Sequence, residues 1–301
     1  MSQNCKCDSK VSNLGKPDCT QTVGRPSKLV FVSKKDAAGA YNKISSTDVL
    51  TDLFIDGKVQ NVNEKSRWHF SPIAKDFLSV TSDATYKSYD DETRRKIRGG
   101  VRTFTGEFPE ADHNFACYLE KFKCAGFGFF LVSETNVITG YKKDESGDTY
   151  PMPIELLEAS YNFESGDNIQ NVTFEMEIPR TVSDCALSSI FGASGDLVGT
   201  EGLIQLSMVA SSPSSTGYTV TVAGGGAYGS TVAYTGLDAS DLSAVDATGS
   251  AVVIGSLTHT ANGIYTIVFT AVSSADVVTV SETATLLAKG LAVNSTSETI
   301  A

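Results

Sequence analysis

The chain has 301 residues, of which 41% are hydrophobic and 20% charged, and its formal net charge is −11. This length allows two domains that each bury a core, and the composition is that of a globular protein. The absence of any run of about 18 apolar residues excludes a membrane-spanning helix, and the first residues lack the pattern of a signal peptide.

The charge is distributed unevenly along the chain. Residues 181–301 contain one basic residue, Lys289, and nine acidic residues, whereas residues 1–180 contain 23 basic and 26 acidic residues. A protein that neutralises nucleic-acid phosphates needs the opposite balance. The acidic excess instead suits a surface that repels DNA and does not adhere to it.

Residues 1–27 are polar, contain Gly and Pro and show no apolar periodicity, so we expect an extended N-terminal arm. This arm contains Cys5, Cys7 and Cys19. The spacing differs from C-x-x-C and no His is nearby, so free thiols are favoured and a metal site stays the open alternative. Disulfides are not expected in a reducing compartment.

The next segment contains predicted strands, one short helix and a charge run. A strand is predicted at Lys28–Val32, a helix at Asp48–Ile55, and further strands at 72–80 and 83–89. Residues 90–98 hold three acids followed by four bases. This run is either a solvated hairpin tip or a set of complementary contacts to a neighbouring subunit. The candidate subunit contacts are Asp90, Asp91, Glu92, Arg94, Arg95, Lys96 and Arg98.

The clearest helix pattern covers residues Pro109–Lys123. Its apolar residues fall on one stripe, which predicts that this helix covers one face of a sheet; they are Ala111, Phe115, Tyr118, Leu119 and Phe122. A hairpin is predicted next, from Phe127–Ser133 and Val137–Tyr141. Strands are also predicted at 152–161 and at 169–178, where apolar and polar residues alternate.

The composition changes near residue 181, which we take as the end of a first domain at 28–181. Residues 182–202 are rich in Gly and Ser and are predicted to be a linker. Residues 203–289 contain short strand patterns separated by turn signals, which favours an immunoglobulin-like β-sandwich. Residues 290–301 are predicted to be a polar tail. The expected fold class is therefore mainly β.

No catalytic, cofactor-binding or metal-binding set is recognised in the sequence. The three His residues do not have metal-ligand spacing, and no Walker motif is present. Asp238 and Asp241 lack the series of closely spaced acidic residues that a calcium site requires. Acid pairs such as Glu107 and Glu110 lack the aromatic cleft that a glycosidase requires. We expect a structural, non-enzymatic protein, and an enzyme that cleaves glycans is the less favoured alternative.

From about residue 75 to 180 the chain resembles phage major tail tube proteins. The resemblance is carried by the charge run, by Gly106-Glu107-Phe108, by the amphipathic helix, and by the strand Phe127–Val132 with its hairpin ending at Gly140. It implies a β-sandwich flanked by one α-helix that forms hexameric rings. The rings stack into a tube, with the N-terminal arm bridging to the adjacent ring and phage DNA passing through the lumen without specific binding. The immunoglobulin-like domain is similar to those that decorate such tubes.

The resemblance also implies a location in the virion tail, assembly in the host cytoplasm and contacts with other tail proteins. No cofactor and no membrane are expected. The alternative is a capsid decoration or adhesin-type virion protein whose C-terminal domain binds a surface or a glycan.

Overall fold

The computed structural model describes residues 23–83, 85–88, 94–98, 100–124, 126–164, 169–183, 186–191, 193–224 and 232–301. The chain is 48% strand, which confirms the mainly β class. By its internal contacts it divides into two compact units, the first within residues 1–59 and 63–202, the second formed by 60–62 and 203–301. Among the described residues, no helix is long and apolar enough to cross a membrane.

The first unit contains two helices and a series of strands among its described residues. Their bounds are β1 Pro26–Ser33, α1 Asp52–Val59, β2 His69–Phe70, β3 Lys75–Thr81, β4 Thr85–Ser88, β5 Arg94–Arg98, β6 Arg102–Pro109, α2 His113–Cys124, β7 Phe127–Ser133, β8 Ile138–Tyr141, β9 Met152–Pro153, β10 Leu156–Asn162, β11 Asn171–Ile178 and β12 Leu187–Ile190.

These strands form two main sheets around one core. The first sheet has the order β12-β8-β7-β1-β2, with β9 also paired to β7, and the second has the order β10-β11-β6-β3. The strands β4 and β5 form a separate two-stranded hairpin. Side chains from both sheets and from α2 share the core, because alternate residues of each strand point inwards. The stacked rings of Phe31 and Phe122, with centroids 4.4 Å apart, join the first sheet to α2.

Helix α2 begins at His113, four residues after the predicted start at Pro109. Pro109 is instead the last residue of β6, and Glu110 turns the chain with a φ of 60°. The Asp112 carboxylate then accepts a hydrogen bond of 2.9 Å from the backbone N–H of Phe115. An Asp that satisfies a free N–H in this way marks a helix start, so the structure places the start after Asp112.

The first unit also contains the second, short helix that the sequence predicts, with shifted bounds. Helix α1 covers Asp52–Val59, four residues later than the predicted Asp48–Ile55. The Thr51 hydroxyl accepts a hydrogen bond of 3.2 Å from the N–H of Phe54. The buried residues of this helix are Ile55 and Val59, so its apolar side extends beyond the predicted end.

The predicted arm 1–27 and linker 182–202 both need correction. Residues 1–22 lie outside the described residues, but Pro26 and Ser27 already belong to β1, and the Ser27 carbonyl accepts a hydrogen bond from Ala74 N–H. Residues 187–190 form β12, which pairs with β8. Leu197 is fully buried. The segment is thus largely part of the first unit rather than a free spacer.

Asn136 and Lys28 hold the end of this segment in place. The Asn136 amide donates to the Gly195 carbonyl at 2.6 Å and accepts from Leu197 N–H at 2.8 Å. The buried Lys28 ammonium donates to the Thr200 carbonyl at 2.7 Å. Burial lowers the pKa of Lys28, since desolvation disfavours its charged form.

The second unit is β-rich and contains one short helix among its described residues. Its elements are β13 Ile204–Ser214, β14 Gly217–Gly224, β15 Val232–Ala233, β16 Leu242–Asp246, β17 Ala251–Ala261, β18 Ile264–Thr270, β19 Val277–Glu282, α3 Ala284–Ala288, β20 Leu291–Val293 and β21 Thr296–Thr299.

These strands form one curled sheet with the order β20-β13-β14-β18-β17-β16-β19-β21, with β15 also paired to β14. The long strand β17 pairs with β18 and with β16. The register shifts between Ile254 and Ser256, where Gly255 lies. The buried rings of Tyr218 and Tyr265 lie in the enclosed core.

Residues 290–301, predicted to be a polar tail, are part of the second unit. Strand β20 pairs in parallel with β13, and β21 pairs with β19. Ile300 is almost fully buried. All three residues of β20 are buried as well, so this segment completes the core although residues 294–299 are polar.

Candidate assembly surface

The sheet β10-β11-β6-β3 has one face in the core and one face open to solvent. On β11, Val172, Phe174 and Met176 are buried, whereas Thr173 and Glu175 between them face outwards. This confirms the predicted half-buried strand at 169–178. We call the solvent side of this sheet the outer face. Its side chains are Lys75, Leu78, Val80, Thr103, Thr105, Glu107, Leu156, Glu158, Ser160, Asn162, Asn171, Thr173, Glu175 and Glu177.

Both edges of this sheet are open within the described part of the chain. Strand β3 pairs with β6 alone, and β10 pairs with β11 alone. On β3, Leu78 is 60% exposed and Val80 is 58% exposed. An edge strand that presents unpaired backbone groups beside exposed aliphatic side chains is a template for pairing with another chain.

The outer face carries an excess of negative charge. Glu158 and Glu175 lie directly opposite each other in the register of β10 and β11. Glu107, which accepts a hydrogen bond of 2.8 Å from the Asn171 amide, has Lys75 opposite it on β3. Like charges directly opposite each other destabilise a sheet, so the pair Glu158 and Glu175 lowers the stability of the isolated subunit.

Aromatic side chains pack against each other on the core side of this sheet. Phe77 on β3 lies against Phe104 and Phe174, with centroid distances of 6.0 and 5.7 Å. Phe108 on β6 contacts Phe174 at 5.0 Å. Such aromatic pairs add about 0.5–1.5 kcal/mol each beyond the area they bury. The edge strand β3 is therefore anchored by Phe77 although the rest of it is exposed.

The charge run lies in the connection between β3 and β6. Asp90, Asp91 and Glu92 lie outside the described residues. The four bases lie on β5, whose backbone pairs with β4, so that Arg95 is opposite Lys87 and Arg94 opposite Ser88. The remaining bases, Lys96 and Arg98, are opposite Tyr86 and Thr85. The described backbone thus places all four bases on one strand of a hairpin.

The described residues contain no group of three His, Cys, Asp or Glu that could hold a metal ion. Cys5, Cys7 and Cys19 lie outside the described residues. His69 packs between the rings of Phe122 and Phe127, and His259 packs on Tyr265. Neither His69 nor His259 therefore has the surroundings of an acid–base catalyst in a substrate cleft.

A pocket of about 230 Å³ lies in the first unit beside residues 45–50. Its lining includes one carboxylate, that of Asp48, which accepts a hydrogen bond of 2.8 Å from the N–H of Ser45. This carboxylate therefore already serves to fix the local turn.

The sequence-based interpretation missed the outer face and its open edge. The strand at 72–80 was expected, but Leu78 and Val80 were not assigned to a solvent face. The signal was present in β11, whose outward positions include Glu175 and Glu177. Only the strand order shows that these acids lie beside Glu158.

No protein-family model matches the chain, and no curated protein matches its sequence. What the chain does is therefore proposed from the residues and the geometry described above.

Proposed function

We propose that the chain is a structural subunit of a phage tail tube, which polymerises as stacked hexameric rings around a channel for DNA. The observation that carries this proposal is the open-edged sheet β10-β11-β6-β3. It has a rigid aromatic core on one side, an acidic outer face on the other, and exposed Leu78 and Val80 on its edge strand β3.

In the proposed ring, β3 of one copy pairs with β10 of the next copy. Neighbouring strands of this sheet are antiparallel throughout, and the sheet has an even number of strands. A junction between β3 and the next copy's β10 is then antiparallel as well. One heterologous interface repeated around an axis closes a ring, and strand addition supplies its hydrogen bonds.

The acidic outer face then lines the channel in this proposal. Carboxylates at Glu107, Glu158, Glu175 and Glu177 repel DNA phosphates and keep the polymer from adhering during passage. The second unit is proposed to be an immunoglobulin-like domain on the outside. The residues Asp90–Glu92 are proposed to contact the bases of β5 in a neighbouring subunit.

Electron microscopy of the purified protein tests the proposal. Wild-type protein should form rings or tubes with a central pore. The double variant Leu78→Glu/Val80→Glu should prevent them, because it places carboxylates on the edge beside Glu158 of the next copy. Both residues are largely exposed, so the fluorescence of Trp68 and the far-UV circular dichroism should be unchanged.

The matched control is Val209→Glu/Val253→Glu in the second unit, where the two valines are 60% and 65% exposed. It should assemble like the wild type. A wild-type protein that stays monomeric at high concentration contradicts the proposal. Tubes of normal length formed by the β3 variant contradict the assigned interface.

A second candidate is a capsid decoration or adhesin-type protein that binds a surface or a glycan through the second unit. It is favoured by one solvent face of β13, β14, β18 and β17, where hydroxyl side chains follow each other across the strands. One such row, in register, is Ser211, Thr219, Thr266 and Thr258. Antibody against the second unit would then label the head or a tail tip, whereas the tail tube proposal requires labelling along the whole tail.

A further inference from the structure

One corner of the second unit brings a buried carboxylate against a lysine. The short 3-10 turn Ala239–Asp241 precedes β16, and α3 follows β19. Thr283 joins the two elements, because its N–H donates to the Asp241 carbonyl at 3.0 Å and its hydroxyl donates to the Ser240 carbonyl at 2.8 Å. The side chain of Asp241 is completely buried.

The lysine at this corner is Lys289, the one basic residue in residues 181–301. Its Nζ lies 2.8 Å from Oδ2 of Asp241 and 3.1 Å from Oδ2 of Asp238. Lys289 follows the last residue of α3, and Gly290 turns the chain with a φ of 77°. The backbone therefore directs this amine at the buried carboxylate.

The two oxygens of the Asp241 carboxylate are in different environments. Oδ2 accepts hydrogen bonds from Lys289 and, at 2.8 Å, from the backbone N–H of Asp238. Oδ1 is buried and has no hydrogen-bond partner among the described residues. An ionised carboxylate with a buried, unpaired oxygen is costly, and a reaction that neutralises the group relieves the cost of the buried charge.

We propose that Lys289 and Asp241 condense to form an intramolecular isopeptide bond. A proton moves from the ammonium to Oδ2, the carboxylate oxygen that it contacts, which leaves a neutral amine and a neutral acid. The Nζ lone pair then attacks Cγ. The protonated Oδ2, which the N–H of Asp238 also holds in place, becomes the leaving group, and Oδ1 becomes the amide oxygen.

The Asp238 carboxylate completes the step. Its Oδ2 lies 3.1 Å from Nζ, so it accepts a proton from the attacking nitrogen and returns it to the departing Oδ2 hydroxyl of Asp241, which contacts the same Nζ. The Cγ–Nζ bond forms, the bond from Cγ to Oδ2 of Asp241 breaks and one water molecule leaves, so no oxidant, reductant or co-reactant is needed. The product exchanges a partly buried ion pair for a neutral amide.

The fold supplies the proximity that makes this condensation feasible. Two groups held in contact react as if at very high concentration. The hydrogen bonds that Lys289 donates to the two carboxylates raise its pKa, which favours the ammonium over the amine that attacks, so the bond forms slowly. The test therefore includes a prolonged incubation at mildly alkaline pH.

Mass spectrometry of the full chain tests the proposal. The intact protein should be lighter than its sequence by one water molecule. No Lys or Arg lies between Arg180 and Lys289, so trypsin releases residues 181–289 and 290–301 from an unlinked, denatured chain. A linked Lys289 resists cleavage and leaves residues 181–301 as one peptide, lighter by one water. Full mass and release of 290–301 after incubation overturn the proposal.

Variants separate the roles of the three residues. Lys289→Met should abolish the mass loss, and Asp241→Asn should lose ammonia in place of water. Asp238→Ala should slow the reaction, and a wild-type rate in this variant overturns the role given to Asp238. Asp246→Asn, at the end of β16, is the control and should link normally. These masses are read from assembled or unassembled protein alike, so the result is independent of tube formation.

Discussion

The first unit should lose stability as the pH falls from 7 to 5 because of His69. The ring of this residue packs on Phe122 and Phe127, with centroid distances of 5.5 and 5.9 Å. Its Nε2 is buried and has no hydrogen-bond partner in the described part of the chain. Burial, with a smaller contribution from the charge of Arg67, lowers the pKa of His69 to about 4.

The direction and size of the effect follow from the two pKa values of His69. In the unfolded chain its pKa is about 6.5, so the unfolded state binds the proton first as the pH falls. The contribution of His69 to stability is therefore complete above about pH 6.5 and is lost progressively as the pH falls to about 4, its pKa in the folded chain. At about 1.4 kcal/mol per pKa unit, the loss is about 2 kcal/mol at pH 5 and about 3 kcal/mol below pH 4.

Urea unfolding followed by the fluorescence of Trp68 measures this effect, because this residue is the one tryptophan of the chain and lies in the first unit. His69→Leu should remove most of the stability difference between about pH 7 and pH 5. The control His113→Leu changes an exposed His at the start of α2 and should keep it. If His69→Leu loses as much stability as the wild type over this range, the reasoning is refuted.

Three further variants use the same urea titration. Asn136→Ala should lower the free energy of unfolding by about 2–3 kcal/mol, because three hydrogen bonds are lost and Ala is strained at a φ of 60°; no loss would contradict the anchoring role. Gly106→Ala should cost about 1–3 kcal/mol, since its new Cβ would lie 2.8 Å from the Phe174 ring, and a neutral result would refute this close packing. Glu158→Gln should raise stability by up to about 1 kcal/mol by removing repulsion from Glu175. A gain that does not shrink in high salt would argue against a charge effect.

The strand assignments that could be predicted are those with a strong local pattern. Strand β11 shows alternation that only a half-buried strand produces, and β7 is an apolar run bounded by turns. The helix α2 has a full apolar stripe, so its existence was predictable. Its start was not, because Pro109 fits both the first turn of a helix and the last position of a strand.

The linker prediction was wrong because small residues are common both in flexible linkers and in segments that pack closely. Gly and Ser are typical of free spacers, but Gly195 lies where a Cβ would be 2.6 Å from the backbone nitrogen of Asp52. The segment is therefore rich in small residues because it packs closely. The partners that show this, such as Asn136 and Lys28, are more than 50 residues away in sequence.

The candidate assembly surface could be predicted only in part. The acidic positions of β11 follow from its alternation, but the cross-strand neighbour Glu158 follows from the sheet order alone. The exposed edge at Leu78 and Val80 likewise depends on which strand is last in the sheet. Sheet order is set by non-local packing, so no short sequence window contains it.

The anchoring of residues 193–200 has a mechanical consequence. Hydrogen bonds from Asn136 and Lys28 fix the chain as far as Thr200, and the second unit resumes at Leu203. A pulling force that reaches Thr200 along the chain therefore loads the hydrogen bonds of Thr200 and Leu197 directly.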